Sequence, residues 1–187
     1  NHNIETLIWI PEILNKGSKW FLNQGWTNKN YGLRSFSVSG RVNEPGVKIA
    51  PAGIPLLDLI NDYCGGMQKG HKLKAFLPGG ASGGIFPAHM ADKSMDFGVW
   101  EENGGFIGSH AVVVLSEKDN ILNAIKNTIN FFKHESCGQC TPCRVGINKI
   151  VKLLDQKSFK KNLYDDLIYV MRDSSICGLG QSAGNCI

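Results

Sequence analysis

The sequence predicts an α+β chain in which a small β-grasp module precedes a group of short helices. Two observations carry this. Apolar residues alternate with small or polar ones, the period of a half-buried strand, only in the middle of the chain. From Asp119 onward they recur at helical spacing instead.

The opening, residues 1–34, reads as a helix and then a turn-rich stretch. Leu7, Ile10, Ile13 and Leu14 share a helical face, Pro11 is expected to break the run, and Asn23 to Gly32 is a loop. Phe36, Val38 and Val42 mark a first strand. Asn43-Glu44-Pro45-Gly46 is a reversal, and Val47 to Ala50 a returning strand. Pro55 opens a helix with Leu56, Leu57, Ile60 and Cys64 on one face, stopped at Gly65-Gly66. Leu73 to Leu77 is a third strand, and Ala111 to Leu115 a fourth, expected to be buried on both faces. The Gly-rich excursion between them, residues 78–110, is long enough to be a functional or interaction surface. Three apolar stripes follow: Ile121, Leu122, Ile125, Ile129 and Phe132; Val145, Ile147, Ile150, Val151 and Leu154; Leu163, Leu167, Val170 and Met171. Three amphipathic helices are expected to form a bundle.

Composition narrows the class. The chain has 187 residues, 42% hydrophobic and 19% charged, enough to bury a real core. It has no apolar run of membrane-spanning length and no signal-peptide pattern, so direct membrane insertion is not expected. It opens on Asn1-His2-Asn3 without Met, which reads as the interior of a longer protein. A net charge of +4, with lysines set on solvated helix faces and no arginine-rich or aromatic-interleaved stripe, gives no footprint for nucleic acid.

The six cysteines are grouped rather than spread. Residues 135–146 read ESCGQCTPCRVG, with Cys137, Cys140 and Cys143 in Cys-x-x-Cys-x-x-Cys array. Such close pairs are poor disulfide partners and favour metal chemistry in a reducing compartment. On a continuous helix the three would fan over roughly 120° and climb about 9 Å. Gly138 and Pro142 argue for a tight loop that leads into a helix and converges the thiols. Zinc sites favour two separated pairs, whereas a [4Fe–4S] cluster favours a compact triplet with one remote ligand. Cys177, in SICGLG with glycines at 178 and 180, is favoured as that ligand, and Cys186 is the competitor. Cys64 reads as a buried inert thiol, and His134 as a solvated helix-end residue. Arg144 is positioned either to offset cluster charge or to form a surface ion pair. His71, His89 and His110 have no partner spacing for a metal, and Asp92 and Asp96 read as turn residues. GGASGG at 79–84 lacks the strand–loop–helix setting and the Lys of a phosphate loop, so it reads as structural or partner-facing.

ESCGQCTPCRVG and the later CGLG resemble the cluster-binding end of the NADH-binding flavoprotein subunits of respiratory complex I. That family also includes NAD-reducing hydrogenases and the β subunits of NAD-dependent formate dehydrogenases. The resemblance covers the whole chain. NHNIETL is similar to the end of the family's flavin domain, and LRSFSVSGRVNEPGV to the start of its soluble-ligand-binding β-grasp (SLBB) module. GGASGGIFPA, SMDFG and GSHAVVVL are most similar to the formate dehydrogenase branch. The resemblance implies three parts: residues 1–34 as the end of an FMN/NADH-binding α/β domain, 35–117 as the SLBB module, and 118–187 as a helical [4Fe–4S]-binding domain.

It also implies the cluster ligands Cys137, Cys140, Cys143 and Cys177, and FMN contacts from Asn3 and Thr6, with Leu179 packed near the flavin. His2 departs from the family's usual Asn, and the spacing from Cys143 to Cys177 is shorter than in complex I. The implied function is electron transfer between the cluster, FMN and NAD in an NAD-dependent oxidoreductase. Formate dehydrogenase is the first reading; complex I or an NAD-reducing hydrogenase is the alternative. Other iron–sulfur subunits would be the partners and the cytoplasm the location. The family's glycine-rich FMN and NADH segments have no counterpart here, so these residues alone are not expected to react with NADH. A zinc-stabilised, non-redox interaction module is the alternative from another class.

Overall fold

The structure, a computed structural model, describes residues 1–156 and 159–187. Three short helices come first: α1 (Ile4–Ile8), α2 (Ile10–Lys16) and α3 (Ser18–Leu22). Pro11 does not end the opening run as expected. The break falls at Trp9, and the proline sits in the first turn of α2, where its missing N–H has no helical partner to lose.

Strands β1 (Leu33–Gly40), β2 (Gly46–Pro51), β3 (Leu73–Leu77), β4 (Phe86–Pro87) and β5 (Ala111–Ser116) form one sheet in the order β2-β1-β5-β3-β4. β1 and β5 run parallel and every other pair antiparallel. Helix α4 (Leu56–Asp58) continues into a wider π turn, Leu59–Tyr63, and crosses the sheet between β2 and β3. Phe36 and Val38 of β1, Val112 and Val114 of β5 and Phe76 of β3 pack against Leu56, Leu59, Ile60 and Cys64. Leu57, expected on that face, is exposed, because it lies about 100° round the helix from buried Leu56. β5 alternates between buried and half-buried residues rather than being buried on both faces. β4, a two-residue strand ending at Pro87, gave no sequence signal.

The excursion over 78–110 is anchored in the core through Phe86, Ala91, Met95, Trp100 and Ile107. Met95 and Trp100 are fully buried, and Trp100 meets Phe76 edge to face at 5.6 Å. An aromatic ring buried this way removes ~150–250 Å² from water and so ties the excursion to the sheet. Within GGASGG, a Cβ on Gly83 would lie 2.7 Å from Phe106 O, so close backbone approach accounts for that glycine.

The rest is helical: α5 (Ile121–Glu135), α6 (Thr141–Leu154), α7 (Lys161–Ser174) and α8 (Gly178–Ser182). Ile129 and Phe132, then Ile147, Ile150 and Leu154, enter a second core as their stripes predict. The α7 stripe is phased differently. Tyr164 and Met171 are buried with Leu167 and Ile168 beside them, while Leu163 and Val170 are exposed. Met171 fixes this phase by lying over Gly146 of α6, where an added Cβ would be 2.5 Å from its sulfur. Ala81 and Ile85 of the excursion pack on this second core, and Asn185 Nδ2 donates to Ser82 O at 2.9 Å.

The sheet is pinned to the helices by Asp119, which precedes α5. Its carboxylate accepts from Arg41 Nε and Nη2 at 3.1 and 2.6 Å, and from Ser116 N and Oγ at 2.8 and 2.9 Å. The Arg41 guanidinium, first, and the Ser116 N–H hold this carboxyl far below the usual carboxylate range. A depressed folded pKa adds stability that is complete above the unfolded value of about 3.9 and is lost as pH falls below it. Asp119→Asn is therefore expected to lower Tm at pH 7, with the gap to wild type closing as pH falls below about 4. Thermal melts across that range check this.

Candidate metal centre

Cys140 is the N-cap of α6, and Pro142 occupies that helix's first turn. Gly138, at φ 74°, supplies the left-handed residue that turns the chain between Cys137 and Cys140. The triplet is thus a loop running onto a helix start, and only Cys143 lies within α6. Arg144 holds the loop from the helix side. Its guanidinium donates to Gly138 O and, at 3.4 Å, to Gln139 O and Thr141 Oγ. It therefore organises the loop carbonyls rather than pairing with a surface carboxylate.

The other arm comes from the end of α7. Cys177 is the N-cap of α8, a helix with no sequence signal beyond the glycines that begin it. Gly180 lets this arm approach α6: a Cβ there would lie 2.5 Å from Ser175 Oγ and 2.8 Å from Cys143 Cβ. Cys143 is buried, Cys140 half-buried, and Cys137 and Cys177 exposed. Burial pushes the Cys143 thiol up, and Cys140, Cys177 and Cys137 all lie close enough to add to the rise. The four thiols therefore share one locale. Cys140 is held below its usual value, first by the Ile176 N–H from the opposite arm, with the Cys143 N–H also contributing.

Among the described residues, no three His, Cys, Asp or Glu side chains close up into the set that a single metal ion takes. A donor set of thiols alone, three in a compact triplet and one remote, suits a [4Fe–4S] cluster. Two further features fit such a group. Helix α6 starts at the cysteine loop, and Ser175 Oγ is buried there with no hydrogen bond among the described residues.

The remaining cysteines are elsewhere. Cys186 is buried in the helical core, donates to Ala183 O at 3.8 Å, and is pushed up to about 12 by burial. Cys64 is buried in the sheet core, and burial raises its thiol. His134 is exposed and bonded to Glu135 at 2.9 Å. His71 Nδ1 lies 2.8 Å from Ser116 Oγ, and Asp96 accepts from Asn30 Nδ2 at 2.7 Å, both structural roles.

A second locale joins the N-terminal helices to β1 and β5. Asn3 caps α1, accepting from Glu5 N at 2.8 Å, and with Thr6 it lines a cavity of about 610 Å³. Leu179 does not line it; its side chain packs on the helical core. Sequence reasoning passed over three other lining residues. Trp9 Nε1, Arg34 Nε and His110 Nε2 are each buried without a partner among the described residues. His110, at φ 53°, is wedged edge-on against Phe36 and Phe97 at 5.2 and 5.5 Å. Burial first, and then Arg34, lower its pKa. A non-glycine residue in left-handed backbone is a strain signal that composition and spacing do not reveal.

The sheet and the two-armed thiol site together define an SLBB domain joined to an iron–sulfur binding region. Residues 34–104 match the SLBB domain, and residues 123–187 match the NADH-ubiquinone oxidoreductase-F iron-sulfur binding region. Over nearly its whole length the chain is similar to the F-type subunits of complex I. It is 36% identical over 189 residues to the F-type NADH-quinone oxidoreductase subunit of Rickettsia conorii, covering 97% of this chain and 45% of that protein. It is 39% identical over 153 residues to an F-type NADH-quinone oxidoreductase subunit of Rhizobium meliloti, covering 82% of this chain and 36% of that one. Among solved structures, a chain of an NAD+-reducing [NiFe]-hydrogenase in the H2-reduced state superposes with a TM-score of 0.82 at 29% identity. That match covers 98% of this chain and 32% of the hydrogenase chain. The chain thus spans less than half the length of these relatives. No helix among the described residues is long and apolar enough to cross a membrane.

Proposed function

We propose that the chain is the cluster-bearing part of an NAD-linked electron-transfer subunit, with Cys137, Cys140, Cys143 and Cys177 as the ligands of a [4Fe–4S] cluster. The observation that carries this is the approach of the two cysteine arms at Gly180 and Cys143, with Ser136 Oγ 3.3 Å from Cys143 Sγ. The protein's part is positional. Arg144 holds the loop, Gly180 admits the second arm, and the Ile176 N–H stabilises the Cys140 thiolate. The bound cluster would supply one-electron transfer, and FMN would interconvert one- and two-electron steps with NAD.

The division proposed is 1–34 as the end of a flavin-binding domain, 35–117 as the SLBB module and 118–187 as the cluster domain. The cavity lined by Asn3 and Thr6 is the proposed flavin edge, and the unpartnered nitrogens of Trp9, Arg34 and His110 suit a ligand rich in acceptors. GGASGGIFPA, SMDFG and GSHAVVVL favour the formate dehydrogenase branch, with the other iron–sulfur subunits of such a complex as partners in the cytoplasm. Iron and acid-labile sulfide content with an EPR spectrum after reduction, on anaerobically prepared protein, test the reading. About four irons per chain and a cluster signal are expected. Zinc in their place would overturn it and leave a binding module.

A further inference from the structure

We propose that the Ser136 and Ser175 hydroxyls donate to sulfurs of the bound cluster site, Ser136 to that of Cys143, and raise the reduction potential of the cluster, a proposal that rests on the cluster reading above. Ser136 Oγ lies 3.3 Å from Cys143 Sγ and accepts from Gly138 N, also at 3.3 Å. A hydroxyl has one proton. With Gly138 N–H on its lone pair, that proton is free to point at the sulfur. A ligating thiolate has no proton to give, so the bond can run only from serine to sulfur.

Ser175 mirrors this on the other arm. It is buried, and its Oγ makes no hydrogen bond among the described residues. A buried hydroxyl without a partner costs stability unless something at the site accepts from it. It borders the gap that Gly180 leaves beside Cys143, where a Cβ at Gly180 would lie 2.5 Å from Ser175 Oγ and 2.8 Å from Cys143 Cβ. Each arm carries one such serine: Ser136 directly precedes Cys137, and Ser175 stands two residues before Cys177. Ser136 serves the inner sulfur of Cys143, while Cys137 and Cys177 are exposed.

Reduction adds negative charge to the cluster, and hydrogen bonds to its sulfurs stabilise the more negative state. The test is an EPR-monitored redox titration of the full protein and of Ser136→Ala, Ser175→Ala and the double variant. Each single variant is expected to keep its iron and shift the midpoint to more negative potential, and the double variant to shift it further. Ser136→Thr should restore it. Ser174→Ala is the control, because that exposed hydroxyl donates to Asp173 at 3.0 Å and should leave the midpoint unmoved. Unshifted midpoints in iron-replete alanine variants would overturn the proposal and spare the cluster reading. A wild type without iron would overturn both. Should the alanine variants lose iron, resonance Raman of the wild type decides. Its Fe–S stretching bands are expected to move in D₂O, and bands that stay fixed would refute the hydroxyl contacts.

Discussion

Cys177→Ala is expected to abolish the [4Fe–4S] EPR signal and to drop iron well below the wild-type level of about four per chain. Cys186→Ala is expected to keep both. The two cysteines are nine residues apart on the same terminal segment, but their surroundings are opposite in kind. Cys177 is exposed at the N-cap of α8, close enough to Cys143 for the two charges to interact. Cys186 sits at 4% exposure among Ala183, Ile129 and other core residues, and its thiol is pushed up to about 12. Ligation requires the thiolate, and burial, the larger effect on Cys186, outweighs the one backbone N–H that favours it. Its loss should act through packing alone. A small void in the core costs on the order of 1 kcal/mol, seen as a few degrees in Tm. Iron analysis and melting curves on the two variants read these effects separately. Loss of iron from Cys186→Ala with retention in Cys177→Ala would exchange the two assignments.

The sequence pointed to Cys177 through its flanking glycines, and the structure gives only one of them a steric reason. Gly180 is hemmed in, whereas nothing lies within 4 Å of where a Cβ on Gly178 would sit. Other features were legible because they depend on short-range pattern. The alternation of Phe36 and Val38 and the stripe through Ile147, Ile150 and Leu154 both emerge as buried faces. What stayed hidden depends on partners distant in sequence. The phase of α7 is set by Met171 over Gly146, twenty-five residues earlier. β4 exists only because Phe86 pairs with Phe76. His110 gave no signal because its interest lies in backbone conformation and an unpartnered nitrogen, neither of which follows from the residue's type.

Gly180→Ala is expected to damage the site almost as severely as loss of a ligand, and Gly178→Ala to leave it nearly intact. Both positions lie in the first turn of α8 with ordinary helical backbone, so alanine would by propensity alone favour the helix by about 1 kcal/mol at each. Sterics reverse that at Gly180 only. Its Cβ would be 2.5 Å from Ser175 Oγ and 2.8 Å from Cys143 Cβ, inside the contact distance of both. Neither neighbour is the loose end of a flexible side chain. Ser175 is a short, buried residue at the end of α7, and Cys143 lies in α6 with its Cβ fixed by the helix. Relief must come from moving α8 away from α6, which carries Cys177 away from the other three thiols. Overpacking of this kind costs roughly 1–3 kcal/mol before any ligand is lost. Gly180→Ala should therefore show both a lowered Tm and incomplete iron loading, with iron falling more than global unfolding accounts for. Gly178→Ala should match or exceed the wild-type Tm with full iron. Equal iron loading in the two variants would mean that the two arms are not held together at Gly180, and that the approach of α8 to α6 does not set the spacing of the thiols.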